Sequence, residues 1–567
     1  MSAGRRAVGA VALSILAVGA IYVALLASMP YESLWSGDQG AKLVQLVSLI
    51  RARLGSLAIP DPSLAYAPDG RFSPLPAMYT VARGDARYGI FSYPYALVTA
   101  PLFFALGYAG LYVVPIFATL ATLTLSAVGG ARLGLRRLWV VPLALGLATP
   151  LGFYALIFWE HALTTLLATA ALLCAVWAVD GGRWTVGGRW WALLAGLLAG
   201  VAWWFRAEAL WLGPALLAGL AWAGWRGEHA GRPGRWVLLG LVAGLLPMAL
   251  FNLLLYGQPL GAQVAVNYGA PGAAAGLLAA RLGIATVLLV GTSAQWGFWL
   301  AAWGCALALA GVPPRWRPWL LSALAATAAG GLLATPSRDL GWSALANAAT
   351  LTLLAPLGLR VLAAQPSARL LGGAAILYTA GVLLTAPNSG GAQFGPRYLL
   401  PIIPAVTLLA LVAAQALVQP GAPRRALAAG ALAVLLTLCL AVQARGVDLL
   451  RLNYSLNQRI VRVVNARPAP LLVSDAEFGP QLLAPLYFDR TILFVDAAKP
   501  WPELTALLRE RGERAFTYLT ALPRDAAPAA LRPLGVECAL VEGLAHGLSA
   551  FDCSLGTAQP SPPTPSP

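Results

Sequence analysis

The chain has 567 residues, of which 59% are hydrophobic and only 11% are charged, and its mean hydropathy is +0.72. Soluble globular proteins do not have this composition, so the sequence predicts a polytopic membrane protein. A net charge of +16 would suggest a nucleic-acid partner in a soluble protein. Here the arginines fall in short loops between apolar segments, where they set membrane orientation, so no nucleic-acid partner is expected.

The apolar segments predict a topology. Residues 7 to 28 form the first predicted span, and because no convincing cleavage site precedes Met29 we interpret it as a retained span and not as a signal peptide. The positive-inside rule assigns six basic clusters to the cytoplasm, at residues 132–137, 183–189, 226–235, 315–317, 360–369 and 424–425. If residues 92–107 form a re-entrant or interfacial element, thirteen crossings result, with the N-terminus inside and the C-terminus outside. We therefore expect a multi-pass protein of the prokaryotic cell (inner) membrane.

The first external loop, residues 31–93, begins with an acidic residue at the end of a span. Asp38 follows Trp35 and opens an amphipathic run that is typical of a helix lying in the membrane surface. The apolar positions of this run are Leu43, Leu46, Val47, Ile50 and Leu54, and the polar ones are Lys42, Gln45 and Arg53. Asp38 could cap this helix or act as a general base, and both roles are compatible.

Charged residues also occur at the predicted external ends of later spans. Trp159 precedes Glu160 and His161, which together line a cavity or merely flank an aromatic anchor at the interface. Arg206 and Glu208 close the next external turn, as a local ion pair or as a contact to an anionic substrate.

Two further external stretches carry candidate ligand contacts. Gly395 and Pro396 precede Arg397 and Tyr398, and a guanidinium there suits bidentate phosphate binding, although snorkelling to lipid headgroups would also explain it. Tyr256 belongs to a polar and aromatic stretch that could stack on a sugar or form an ordinary loop.

The composition changes after the last predicted span, residues 425–443. Short buried strands are predicted at residues 471–473, 491–495 and 515–519, with helical patterns at 481–486 and 502–511. The predicted fold class is therefore an all-α polytopic membrane bundle, residues 1–443, followed by a small extracytoplasmic α/β domain, residues 444–555. Residues 556–567 are predicted to form a disordered tail rich in proline and serine. Cys538 and Cys553 in this region are either bridged or two independent thiols.

Taken together, these motifs resemble those of the GT-C class of integral-membrane glycosyltransferases, in the branch of the protein O-mannosyltransferases and the lipid A aminoarabinose transferases. The matching stretches, in chain order, are Gly37-Asp38-Gln39-Gly40, Tyr93-Pro94-Tyr95, Trp159-Glu160-His161, Arg206-Ala207-Glu208 and Gly395-Pro396-Arg397-Tyr398-Leu399-Leu400-Pro401. Each motif is short, and the specificity of the resemblance lies in their order and in their common predicted face.

The resemblance implies an inverting glycosyltransferase that takes a sugar from a polyprenyl-phosphate donor and passes it to a hydroxyl of a glycan, lipid or protein acceptor. Asp38 would be the general base and Glu160 a second acidic group at the catalytic site that orients donor or acceptor, while Arg397 and Arg206 would bind phosphate. The full set of expected substrate-binding residues is Lys42, His161, Arg206, Glu208, Tyr256, Arg397 and Tyr398. One departure from the family pattern is Gln39, which stands where many mannosyltransferases have a second acid.

The sequence leaves alternatives to this function and does not define a cofactor. The residues demand no metal, although they leave room for a carboxylate-bound divalent cation. A non-enzymatic lipid or glycan transporter or flippase would also be apolar with a few charged residues, but it would favour midplane sites and repeated halves. An O-antigen polymerase or ligase would share lipid-linked substrates, but it usually carries its long loop late in the chain.

Overall fold

The computed structural model describes residues 3–180, 186–224, 231–268, 277–291, 296–335, 345–391, 393–496 and 501–556. The predicted disordered tail lies outside these ranges from residue 557 onward. The chain divides into two compact units, of which the first comprises Met1–Ser28 and Ala109–Leu450 and the second Met29–Tyr108 and Arg451–Pro567. The first external loop of the sequence analysis thus belongs to the same unit as the C-terminal residues.

Helices make up most of the described chain. The first eleven are α1 (Ala3–Ala27), α2 (Gly37–Arg51), α3 (Tyr93–Leu106), α4 (Gly110–Arg132), α5 (Val140–Leu147), α6 (Leu151–Ala155), α7 (His161–Asp180), α8 (Val186–Ala202), α9 (Leu212–Gly224), α10 (Gly231–Tyr256) and α11 (Ala262–Tyr268). The next eleven are α12 (Leu277–Leu289), α13 (Trp296–Gly311), α14 (Arg317–Ala334), α15 (Leu345–Ala348), α16 (Ala355–Val361), α17 (Pro366–Thr385), α18 (Ile403–Val418), α19 (Arg425–Asn465), α20 (Gly479–Leu482), α21 (Trp501–Glu510) and α22 (Ala526–Leu531).

The strands all lie in the second unit. They are β1 (Thr80–Arg83), β2 (Ala86–Gly89), β3 (Leu471–Ser474), β4 (Thr491–Phe494), β5 (Ala515–Thr520), β6 (Val536–Gly543) and β7 (Ser549–Leu555).

By length and composition, eight helices of the described chain could each cross a membrane, and four shorter apolar helices accompany them. The predicted multi-pass membrane protein is therefore confirmed, while the count of thirteen crossings and the orientation of the termini stay predictions. Helix α3 has 14 residues, which at about 1.5 Å per residue is shorter than the roughly 30 Å of a hydrocarbon core. A short turn joins α3 to α4, and the two together form one of the eight candidate spans, Tyr93–Arg132, so a re-entrant or interfacial role for residues 92–107 stays a prediction.

Close backbone contact joins α8 and α10 in the first unit. A Cβ atom on Gly196 of α8 would lie 1.9 Å from the carbonyl oxygen of Val237, and one on Gly240 of α10 would lie 2.0 Å from that of Leu193. Each helix repeats a glycine four residues later, at Gly200 and at Gly244, so both carry the small-residue spacing that lets membrane helices approach closely. This contact fixes the end of α8, which leads directly to Arg206.

The second unit contains a five-stranded sheet in the order β4-β3-β5-β7-β6. Strand β3 runs parallel to β4 and β5, whereas β7 pairs antiparallel with both β5 and β6. Alternate residues face opposite sides of a sheet. Leu471 and Val473 therefore pack with Leu504 of α21 on one face, and Leu472 packs with Ile460 of α19 on the other.

The three predicted strands of the C-terminal region are confirmed, and the helical patterns at 481–486 and 502–511 correspond to α20 with the following 3₁₀ turn and to α21. The helix that contains the predicted last span, residues 425–443, continues beyond it to Asn465. Beyond the apolar part, the helix keeps apolar residues on one side only, and Ile460 and Val464 cover a face of the sheet.

Candidate active site

Three chain segments of the first unit bring charged side chains together. They are the turn that leads into α7, the stretch before the 3₁₀ turn Ala207–Trp211, and the 3₁₀ turn Arg397–Ile402. Glu160 is 1% exposed, His161 2% and Arg206 6%. Burying ionised groups is costly unless each is paired, so the ion pair between Arg206 and Glu160 explains how these two charges are buried together.

Arg206 lies between two carboxylates. Its Nη1 atom is 3.1 Å from Oε1 of Glu160, and its Nε atom is 2.9 Å from Oε1 of Glu208. Burial lowers the pKa of Arg206, but the attraction of Glu208 and Glu160 outweighs it and raises the pKa of the guanidinium above its ordinary value. The ion pair between Arg206 and Glu208 that the sequence suggested is therefore present. Glu160, which lies 46 positions earlier in the chain, also binds Arg206.

Arg397 occupies a different environment from Arg206. Its guanidinium carbon is 5.5 Å from the ring centre of Trp159 and 5.1 Å from that of Tyr398, and Nη2 donates to the hydroxyl of Tyr398 at 3.2 Å. The hydroxyl of Tyr398 in turn donates to Oδ1 of Asn388 at 2.9 Å. The residue is only partly buried, and its planar cation is oriented by aromatic rings.

The same network includes aromatic residues around His161. The ring centres of Tyr154 and Trp159 each lie 5.1 Å from that of His161. The ring of Tyr398 is 5.9 Å from the guanidinium carbon of Arg206. The ring of Tyr398 therefore connects the ion pairs of Arg206 with the surroundings of Arg397. Sequence reasoning missed Tyr154, because a tyrosine inside an apolar segment gives no signal that distinguishes a site residue from a core residue.

Tyr256 was also predicted to contact substrate. It is the last residue of α10 and is partly buried. The contacts of the network described above do not include it, so its role stays a prediction.

Asp38 lies in the second unit, in the first turn of α2. The helix begins at Gly37 after Ser36, so Asp38 is not the capping residue that one reading of the sequence suggested. Burial raises the pKa of Tyr79, and the charges of Asp38 and Glu477 raise it further. Two carboxylates and a phenol therefore share one neighbourhood, in which Glu477 is a residue that the sequence did not single out.

The predicted surface helix is a buried helix. Lys42 is 5% exposed and its ammonium nitrogen lies 4.8 Å from the ring centre of Phe91, while Gln45 is 2% exposed and donates to the Phe91 carbonyl oxygen. The helix ends at Arg51, before Arg53 and Leu54 of the predicted run. The polar face that the spacing indicated is thus covered by protein, because Phe91 and its neighbours supply partners for its amide and its cation.

The glycine at position 40 sets how closely α2 packs. A Cβ atom there would lie 1.9 Å from the carbonyl oxygen of Gln481, which is in α20. Only glycine allows this approach. The Gly37–Gly40 stretch therefore carries two different requirements, a carboxylate at Asp38 and close backbone packing two residues later.

Within the described residues, no group of three or more histidine, cysteine, aspartate or glutamate side chains is arranged to hold a metal ion. The arrangement in the first unit offers instead a paired cation, two carboxylates and an oriented second guanidinium. Such groups can bind an anionic ligand and place a polar one by hydrogen bonding.

Solved structures that share this fold are integral-membrane glycosyltransferases of the GT-C superfamily, so the predicted resemblance is confirmed at the level of fold. Two are ArnT of Cupriavidus metallidurans, in the apo state with a TM-score of 0.55 and bound to undecaprenyl phosphate with a TM-score of 0.52. Both are 13% identical to this chain, and each alignment covers 95% of this chain and 97% of the other. The oligosaccharyltransferase of Archaeoglobus fulgidus matches with a TM-score of 0.50 and 12% identity, over 89% of this chain and 68% of that one.

At the level of sequence, no protein-family model and no curated protein matches this chain. The likeness therefore lies in the fold, and the assignment of chemistry depends on the residues described above.

Proposed function

We propose that the protein is a membrane glycosyltransferase that moves a sugar from a polyprenyl-phosphate donor to an acceptor hydroxyl on the external face of the membrane. The observation that carries this proposal is the buried network of Glu160, Arg206, Arg397 and Tyr398, found in a fold shared almost end to end with a transferase whose structure contains undecaprenyl phosphate. Such a donor already carries an activated sugar, so positioning, one base and cationic assistance are sufficient for the reaction.

Arg397 is the better of the two arginines for the donor phosphate. Arg206 is held between Glu160 and Glu208, so an approaching phosphate would meet a net negative group. Arg397 has aromatic neighbours that orient its planar guanidinium, and the residue is only partly buried, which suits bidentate binding of a phosphate that gains charge as it leaves. We therefore assign phosphate binding to Arg397, and we assign to Arg206 the orientation of the two carboxylates.

Asp38 is proposed as the general base. Its carboxylate takes the proton of the acceptor hydroxyl as that oxygen attacks the anomeric carbon from the side opposite the phosphate. The bond between the anomeric carbon and the phosphate oxygen breaks, its electron pair leaves with the polyprenyl phosphate, and the configuration inverts. Proton transfer of this kind contributes about 10²- to 10⁴-fold to a rate.

The bridge between Cys538 and Cys553 supports an external location for the second unit. The two residues face each other across β6 and β7 and are disulfide-bonded. Disulfides persist in oxidising compartments. The external side of the membrane is where lipid-linked sugars would meet an acceptor in the proposed reaction.

The proposal is tested with the purified full chain in lipid nanodiscs, supplied with a panel of polyprenyl-phosphate hexoses and pentoses. Release of polyprenyl phosphate is measured for the wild type and for Asp38→Asn, Arg397→Ala and Arg397→Lys. We expect Asp38→Asn to lose about 100-fold or more in kcat. Arg397→Lys is expected to recover only part of the loss of Arg397→Ala, because an ammonium lacks the planar fork.

Two substitutions serve as controls. Asp69→Asn removes an exposed carboxylate from the same loop as Asp38, and Arg360→Ala removes an exposed guanidinium from the first unit. Both should turn over donor like the wild type. Full activity of a folded Asp38→Asn variant would remove Asp38 from the mechanism, and movement of intact donor between leaflets without turnover would favour a flippase.

A further inference from the structure

The backbone that leads into α2 is held by side chains from distant parts of the second unit. Nδ2 of Asn457 donates to the carbonyl oxygen of Leu34 at 2.7 Å, and its Oδ1 atom lies within hydrogen-bond distance of His546. One helical turn earlier, Nδ2 of Asn453 donates to the carbonyl oxygen of Trp35 at 2.5 Å. Residues four apart lie on the same side of a helix, so α19 presents two amides to two successive carbonyl groups.

Gln39, which lies in α2 itself, also binds this segment. Its Oε1 atom accepts the backbone N–H of Trp35 at 2.6 Å, and the residue is fully buried. Ser36, the residue before α2, makes no capping bond with its side chain. Side-chain amides thus take the place of the usual cap in fixing the conformation of this segment.

His546 completes the arrangement. Its Nε2 atom is 2.9 Å from Oδ1 of Asn457. Because a carbonyl oxygen can only accept, Nδ2 of Asn457 must face Leu34 and Oδ1 must face the histidine, so Nε2 of His546 carries a proton and donates. Burial lowers the pKa of His546, which favours the neutral ring with its proton on Nε2.

The backbone of His546 is also specialised. The residue has a φ of 58° and a ψ of 24° in the turn between β6 and β7, a left-handed conformation in which histidine and asparagine occur more often than most residues. The turn therefore aims the ring at α19 at some conformational cost. Such strain persists only where the surroundings determine it.

We propose that His546, Asn457, Asn453 and Gln39 are positioning residues that fix the backbone before α2 and thereby the orientation of Asp38. None of them touches the reacting atoms. The inference depends on the proposed function only for its effect on turnover, since the mechanical part concerns the backbone alone. It also gives Gln39 a purpose, because a neutral amide supplies the acceptor for Trp35 without burying a second carboxylate beside Asp38.

Hydrogen–deuterium exchange of the full chain in nanodiscs tests the mechanical part. The amides of Trp35, Gln39 and Gly40 are hydrogen-bonded and report on the segment. We expect Asn457→Ala and Asn453→Ala each to speed their exchange several-fold to about tenfold, the scale of one lost hydrogen bond. Gln458→Ala is the matched control, because Gln458 is the next residue of the same helix and its side chain accepts an exposed hydrogen bond from Arg462. Exchange equal to that of the control in both asparagine variants would overturn the proposal.

Kinetics test the effect on Asp38. We expect His546→Ala to lower kcat about ten- to a hundredfold with the KM for donor and acceptor unchanged, and His546→Gln, which can still donate, to recover much of that loss. An equal loss in both variants, or a loss that appears only in KM, would overturn the positioning role. A wild type without turnover on the donor panel would count against the proposed function, and the exchange result would still decide the mechanical part.

Discussion

The two units hold their functional carboxylates in opposite ways. In the first unit, Glu160 and Glu208 are buried and balanced by the charge of Arg206. In the second unit, the backbone next to Asp38 is held by neutral amides from Asn453 and Asn457 and by Gln39. The difference teaches that charges buried in the apolar helical bundle are balanced by an opposite charge, whereas the segment next to Asp38 is fixed through its backbone by neutral side chains.

The largest effect is expected from removing the balancing charge. Arg206→Met would leave Glu160 and Glu208 buried without their partner, which typically costs about 3–5 kcal/mol. Thermal unfolding in detergent, followed by tryptophan fluorescence, measures this loss.

Arg71→Met is the matched control for that measurement. Arg71 also bridges two carboxylates, those of Asp69 and Glu503, but its side chain is 47% exposed. Exposed pairs contribute at most about 1 kcal/mol, so the control should unfold close to the wild type. Similar losses in the two variants would break the comparison, since burial would then not be what makes the Arg206 cluster matter.

The next largest effect is expected from reducing the disulfide, because its loss should destabilise the second unit and not the first. The bond between Cys538 and Cys553 spans 15 residues, and closing a loop of that length stabilises a domain by about 3 kcal/mol. Reductant should therefore lower the unfolding temperature of the second unit. The first unit contains free cysteines at positions 174, 305 and 439 and should not respond.

A double variant, Cys538→Ala with Cys553→Ala, is the control for the reductant. It should unfold early in both the presence and the absence of reductant. A further shift on reduction would show that the response arises elsewhere.

Packing under α2 gives a smaller effect. Gly40→Ala would place a Cβ atom 1.9 Å from the Gln481 carbonyl oxygen, and overpacking of this kind costs about 1–3 kcal/mol. Because the displaced helix carries Asp38, turnover should fall together with stability. Gly430→Ala, in α19 where no atom lies within 4 Å of the added carbon, should instead be neutral or stabilising by up to about 1 kcal/mol. An unaffected Gly40→Ala variant would mean that α2 can shift without consequence.

The sequence predicted the first unit's cluster better than the second unit's supports, for a physical reason. Charged residues in apolar surroundings are conspicuous, so Glu160, Arg206 and Arg397 could be picked out, and the fold could be assigned from the order of the motifs. Asn457 and His546 sit among ordinary polar residues hundreds of positions from Leu34. Their contacts depend on the tertiary structure, and no local pattern marks them.

Helix α2 shows a second limit of prediction from sequence. Its spacing of polar and apolar residues fits a helix on a membrane surface as well as it fits a helix buried under protein. The polar residues Lys42 and Gln45 find partners at Phe91, which periodicity cannot reveal. Periodicity reports which residues share a face of a helix, but not what covers that face.

The smallest effect concerns Asp475, a carboxylate of the second unit whose environment differs from that of Asp38. Burial raises the pKa of Asp475, although the hydroxyl of Tyr518 donates to its Oδ2 atom at 2.5 Å and opposes the shift. Between the ordinary carboxyl pKa of about 3.9 and the raised pKa of Asp475 in the folded protein, the folded state binds more protons than the unfolded state. The free energy of unfolding therefore falls as the pH rises through this interval. Asp475→Asn keeps an acceptor for Tyr518 and has no charge, so the variant should be at least as stable as the wild type at neutral pH and lose this advantage near pH 4. Unfolding temperatures across that range measure the effect, with the exposed Asp69→Asn as control. A wild type that is the more stable at neutral pH would mean that the charge of Asp475 is stabilised in the folded state, as Arg87 stabilises the buried carboxylate of Asp61 in the same unit.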